Sequence, residues 1–311
     1  VGYGYFKMDS RSRSYLLENL PNINDSYLRG VIWLNLWDEM LYGNIKPIDM
    51  INLCIRALKT ENDILNTQRI LSRLNSTFWN FLSENQRSTK ANQLESILIL
   101  HMNEATTITN RSMYFRSLRS ITITDNGYDW LKSIWMKNDS IKGLTLSERD
   151  YIAIASELAL RGKKDSQQIL DSQLNQISNP DRKSRFKFIM ASLSNDLDVR
   201  DNFFELIKKE ENREVEPWVQ SAVAYLHHPL RSKDSEKYIL PSLELLEEIQ
   251  RTGDIFFPAR FINATLSGHQ SANAKNIVNQ FLKDHPNYTP ALKLKILQAA
   301  DNLFRASIIK D

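Results

Sequence analysis

The chain has 311 residues, 42% hydrophobic and 25% charged, a composition that belongs to a folded globular protein and excludes a disordered or fibrous one. Forty basic residues stand against 37 acidic ones for a net charge of +3, with no more than two basic residues in a row. That disfavours a nucleic-acid partner, whose phosphates demand concentrated positive charge. Nine Gly and nine Pro are few for the tight turns of a sheet-rich fold, and the single Cys54 rules out an internal disulfide or a cysteine-based zinc site.

In chain order, only the opening reads as strand. Tyr3, Tyr5, Phe6 and Met8 form a short aromatic run, flanked by glycine and ended by Asp9. Helical periodicity then takes over. From Asp25 to Tyr42, Leu28, Ile32, Leu36 and Met40 recur every fourth residue beside Trp33, Trp37 and Leu41. Asp25 is the expected N-cap, Gly43 the stop, and Pro47 the start of a second helix carrying Ile51, Cys54, Ile55 and Leu58. A longer helix follows through Ile64, Ile70, Leu71, Leu74, Phe78 and Phe81. Further helices are expected over 91–104, 111–121, 126–137, 147–161, 165–175, 181–193, 197–210 and 215–227. The charge-dense segment Lys208–Glu216 reads as a solvated helix end and turn. The clearest helices come last, over 238–251, 255–267, 271–284 and 290–306, with Ser271 capping one and Pro290 opening another.

Many similar helices joined by short polar turns predict an all-α fold: a HEAT- or armadillo-like right-handed superhelix of antiparallel helix pairs, with one short N-terminal strand. Residues 1–10 are assigned to that strand, as the remnant of a preceding β-sandwich, and 11–311 to one helical-repeat domain. A compact bundle is the alternative, since no strict repeat is visible in the wording. No apolar run approaches the roughly 20 residues that span a bilayer. The opening at Val1, without an initiator Met, suggests a piece of a longer polypeptide.

No chemistry-bearing constellation is predicted. The five histidines, His101, His227, His228, His269 and His285, do not form the paired spacing of a zinc helix. His101 and Glu104 could share a ligand at i, i+3, but no third partner is in view, and a surface pair is the simpler reading. His227-His228-Pro229 and His285-Pro286 read as helix ends. Cys54 sits in an apolar pattern and reads as a buried structural thiol, while Trp33 and Trp37 read as core. Asp38 and Glu39 read as solvated surface rather than an acid–base pair. No serine elbow, phosphate loop or dinucleotide fingerprint is present.

Two segments carry a resemblance. The opening Gly2-Tyr-Gly-Tyr-Phe-Lys-Met-Asp9, then Leu16-Leu-Glu-Asn-Leu20, then Arg29-Gly-Val-Ile-Trp-Leu-Asn-Leu-Trp-Asp-Glu-Met-Leu-Tyr-Gly43, resembles the start of the C-terminal helical domain of aminopeptidase N-type zinc peptidases. Arg251-Thr-Gly-Asp-Ile-Phe-Phe-Pro258, with Ser267-Gly-His269, is similar to the closing helices of bacterial members. The resemblance implies a non-catalytic lid over an active-site chamber, which limits peptide access while the parent enzyme removes N-terminal residues. It places zinc, the His-Glu-x-x-His helix and the Gly-x-Met-Glu-Asn loop in an upstream catalytic domain, so no catalytic residue and no metal ligand is assigned to this chain. It implies as partners the chain's own upstream catalytic and β-sandwich domains and peptide substrates, with no nucleic acid and no membrane span. For the parent it implies a periplasmic or secreted location. Family lids often turn basic side chains toward the peptide, and Arg251 and Arg260 are the candidates here, against the plainer reading of surface arginines. A free-standing α-solenoid scaffold that binds other proteins is the rival reading.

Overall fold

A computed structural model describes residues 4–309, and the fold is all-α. Among the described residues there is no strand. Of the predicted opening strand, Tyr3 lies outside the described residues, while residues 5–9 have no regular structure. A strand exists only as one side of a ladder, and this segment spends its polar groups elsewhere. The Tyr5 hydroxyl and the Met8 amide both donate to Glu39, at 2.7 and 3.1 Å.

The chain forms two compact units: residues 4–145 with Ile308 and Ile309, and Leu146–Ser307. In the first, helices span Ser10–Asn19, Ser26–Leu41, Pro47–Leu58, Ile64–Asn80, Glu84–Glu104, Ile108–Ile121 and Asp125–Trp135. Asp25 caps the second of these as predicted, accepting from the Tyr27 and Leu28 amides. Gly43 ends it at φ +77°, a left-handed conformation that a side chain would oppose. The Glu84–Glu104 helix starts well before the predicted 91, closed by a reciprocal Ser83–Gln86 capping box. Its first two turns are polar, so hydrophobic period could not reveal them. Within this unit Ser26–Leu41, Ile64–Asn80 and Ile108–Ile121 pack side by side in one row. Ser10–Asn19, Pro47–Leu58 and Glu84–Glu104 make a second row against it. Trp33, Leu36, Met40, Ile51, Cys54 and Phe78 are completely buried between the rows. Each such large side chain contributes about 1.5–3 kcal/mol.

The second unit repeats the arrangement. Glu148–Leu160, Pro180–Leu193, Glu216–Leu226, Phe257–Leu266 and Pro290–Ala299 form one row. Ser166–Gln176, Leu197–Ile207 and Ala272–Asp284 pack behind it, with a broken segment before the last of these. That segment was predicted as one helix, 238–251, but is divided into Ile239–Glu244 and Leu246–Thr252 and preceded by short helical turns. Pro241 has no N–H to offer residue 237, so regular helix cannot extend further upstream. The predicted 290–306 helix likewise divides at Ala300, into Pro290–Ala299 and Asp301–Ile309.

Buried arginines close the helix ends in both units. Arg87 donates to the Leu82 carbonyl at 2.7 Å, Arg200 to Ser194 at 2.7 Å, and Arg213 to Ile207 and Lys208 at 3.0 and 2.6 Å. Each reaches back five or six residues to carbonyls that a helix terminus leaves without an intrahelical partner. Arg213 therefore departs from the predicted solvated turn: it is only 4% exposed, and its other amino group grips Glu248 through both carboxylate oxygens.

Candidate functional site

The Ser26–Leu41 helix is apolar on more than one face. One side supplies the core residues Trp33, Leu36, Trp37 and Met40. The other exposes Tyr27 (78%), Leu28 (46%), Val31 (36%) and Leu34 (46%), which share a single stripe at helical spacing. A helix with an apolar open side marks a surface built to be covered.

The chain's opening is latched to the same helix. Glu39 is completely buried, contrary to the solvated role predicted for it. Its helix position faces inward beneath residues 5–8, a tertiary arrangement that local spacing does not encode. Arg13 donates to its second oxygen at 2.8 Å, complementing Tyr5 and Met8 on the first. Burial opposes ionisation of Glu39, but the bonds from Tyr5, Met8 and Arg13 outweigh it and hold its pKa below the ordinary carboxylate value. The Tyr5 phenol is pushed up to about 12 by burial and by its bond to this carboxylate. Asn44 donates to the Tyr5 oxygen at 2.7 Å, and the Tyr5 ring stacks on Tyr42 at 3.9 Å. Asp38, the neighbour of Glu39, is half-exposed.

Arg251 lies in the last turn of Leu246–Thr252 and Arg260 in the first turns of Phe257–Leu266, and both are exposed. Arg260 stands 5.6 Å over the ring of Phe256, itself 60% exposed beside Ile255 at 70%. The loop between them is held by Glu216, which accepts from the Asp254 amide at 2.6 Å.

His101 lies 3.6 Å from Glu104 as an isolated i, i+3 pair, its pKa lowered by burial. Cys54 is buried among aliphatic residues, and burial pushes its thiol up to about 12, which suits packing rather than nucleophilic attack. Among the described residues no group of three or more His, Cys, Asp or Glu is placed to hold a metal ion. No described helix is long and apolar enough to cross a membrane.

Sequence reasoning missed the pairing of His227 with His269, because the two lie 42 residues apart. His227 does end a helix, as predicted, but Nδ1 of His227 and Nε2 of His269 meet at 2.8 Å, both rings almost wholly buried. Tyr238 packs edge-on against His227. Burial holds both imidazoles neutral: His227 is driven well below its ordinary pKa, and His269 to about 4, although the Glu236 carboxylate pulls it partly upward. A depressed histidine stabilises the fold fully above the unfolded value near 6.5, and that contribution is lost as pH falls toward 4. The second unit is therefore expected to lose about 2 kcal/mol between pH 7 and 5 from His269 alone. Urea titrations across that range check this, with His269→Gln flattening the slope. An unchanged slope would contradict the assignment.

Comparison with known proteins returns no matching family model and no similar curated protein, so a functional reading is carried by the residues and geometry described above.

Proposed function

We propose that this chain is the C-terminal, HEAT-like helical domain of an aminopeptidase N-type zinc peptidase, and that it covers the active-site chamber of an upstream catalytic domain. The observation that carries the reading is the Ser26–Leu41 helix. The residues whose wording resembles the family, Arg29–Gly43, form the helix that both exposes an apolar stripe and anchors the opening segment through Glu39. The resemblance implies that the opening segment leads in from a β-sandwich and that the domain as a whole packs over the catalytic one, and these two features of the helix support that reading.

On this reading the fold is a HEAT-like right-handed superhelix of antiparallel helix pairs. Its inner surface limits the peptides that reach the zinc, and Arg251 and Arg260 offer cationic contacts to them. The chemistry belongs to the parent: water attack on the first peptide bond, with zinc held upstream. This chain supplies enclosure and positioning.

The purified chain is expected to release no nitroaniline from alanyl- or leucyl-nitroanilide with or without added zinc, while the complete polypeptide encoded with it turns over. In that polypeptide, Val31→Glu with Leu34→Glu is expected to unseat the domain and raise cleavage of long peptides relative to dipeptide substrates. A complete polypeptide without zinc-dependent aminopeptidase activity sinks the proposal and favours a free-standing scaffold.

A further inference from the structure

A cleft of about 430 Å³ runs along the front of the second unit, between Glu148–Leu160, Pro180–Leu193 and Glu216–Leu226. That volume falls in the range of ligand-binding pockets. Its floor is apolar, built from Ile152, Phe186, Ile189 and the half-exposed Trp218. Trp218 is braced from behind by Phe188, 5.9 Å away between ring centres, so its indole is held in place before anything binds.

The rim of the cleft is cationic. Arg149, Arg182 and Arg185 line it against a single aspartate, Asp181. These arginines are not equivalent. Arg182 is matched by Glu148 at 2.9 Å, so its charge is already answered. Arg185 is oriented by a bond to the neutral Ser221 hydroxyl at 2.9 Å, which positions the guanidinium and leaves its charge unbalanced. Arg149 is exposed at the far side. The lining therefore combines a rigid aromatic floor with surplus positive charge at its edge.

We propose that this cleft binds an extended protein segment in which a large apolar side chain, preferably aromatic, is followed by an acidic residue. The apolar group sits on Phe186, Ile189 and Trp218, and the carboxylate meets Arg185 and Arg149. The dimensions agree. From Arg149 to Ser156 the cleft follows two helical turns, about 10 Å, which is the length of roughly three extended residues. Arg149 and Arg185 are both exposed, so the bound chain continues past the cleft rather than ending in it. A nucleotide fits less well, since Asp181 on the rim would face its phosphate. The cleft is built from this unit's own residues alone and would bind such a segment whether or not a peptidase domain is attached.

The test is fluorescence anisotropy on the full chain with a labelled, end-capped pentapeptide, Gly-Phe-Glu-Gly-Gly. Its affinity is expected to fall roughly tenfold when the peptide's Glu becomes Gln or its Phe becomes Ala. A similar fall is expected in Arg149→Gln/Arg185→Gln, whose surface positions leave folding unaffected. Ala153→Trp, which fills the cleft, should abolish binding while thermal unfolding stays unchanged. Four results would each overturn the proposal: no binding up to millimolar peptide, equal binding by the double variant, tighter binding of an uncapped peptide ending at Phe, or preference for a short oligonucleotide. None of these readouts involves aminopeptidase activity, so failure here is distinguishable from failure of the lid reading.

Discussion

Gly268→Ala is expected to destabilise the second unit by about 2–4 kcal/mol. Gly268 follows the end of Phe257–Leu266, and His227 caps the end of Glu216–Leu226. The two helix ends approach so closely that a methyl group on Gly268 would land on the His227 carbonyl oxygen, far inside van der Waals separation. The obstacle is backbone and not a movable side chain, so the helices themselves must part. Separation also breaks the His227–His269 hydrogen bond and leaves two buried imidazoles without it, which adds about 1 kcal/mol to the overpacking cost. The check is hydrogen exchange of residues 216–226 and 257–266, with the urea midpoint alongside. Exchange resolves the affected unit where a single transition for a two-unit chain would not. Gly4→Ala is the control, since nothing lies within 4 Å of its would-be side chain. If Gly268→Ala behaves like the control, the close approach is not a constraint on the fold.

The two consequences of Gly268 illustrate what the sequence could carry. Helices were legible wherever a local signal marks them. Asp25, Ser271, Pro47 and Pro290 stand where the structure places helix starts, because caps and ring-fixed backbone act within a few residues. The start at Glu84 escaped because its first two turns are polar, and Ser10–Asn19 escaped because none of its residues is buried. The buried thiol of Cys54 and the core positions of Trp33 and Trp37 also followed from local pattern. What was not legible is long-range. His227 meets His269 across 42 residues, Glu39 meets Tyr5 across 34, and Arg182 meets Glu148 across 34. Each residue has an ordinary local reading on its own, and only the tertiary fold brings it to its partner. The exposed stripe of Tyr27, Val31 and Leu34 lay within the apolar run already recognised, yet only the packing shows which side of that helix stays open.

Glu39→Ala is expected to cost about 2–4 kcal/mol and to release residues 4–9 from the first unit. The carboxylate has no exposure and is the common acceptor for the Tyr5 hydroxyl, the Met8 amide and the Arg13 guanidinium. Deleting it leaves all three donors without their acceptor and Arg13, 21% exposed, without its counter-charge. Glu39→Gln is expected to lose less, because its amide oxygen still accepts, although its NH2 group must then face either the Tyr5 hydroxyl or Arg13. The pH dependence has a definite sign. Glu39 is ionised more readily in the fold than in the unfolded chain, so its stabilisation is complete above about pH 4.5 and is lost as pH falls through its lowered native value. The latch therefore withstands the pH 7-to-5 interval in which the His227–His269 pair already weakens the second unit, and acidification is expected to loosen Glu216–Leu226 and Phe257–Leu266 before it frees the opening segment. Residue-resolved hydrogen exchange at pH 7, 5 and 4 orders the two events. Release of residues 4–9 ahead of the second unit, or an unchanged exchange rate there in Glu39→Ala, would show that the buried carboxylate is not what holds the chain's opening against the Ser26–Leu41 helix.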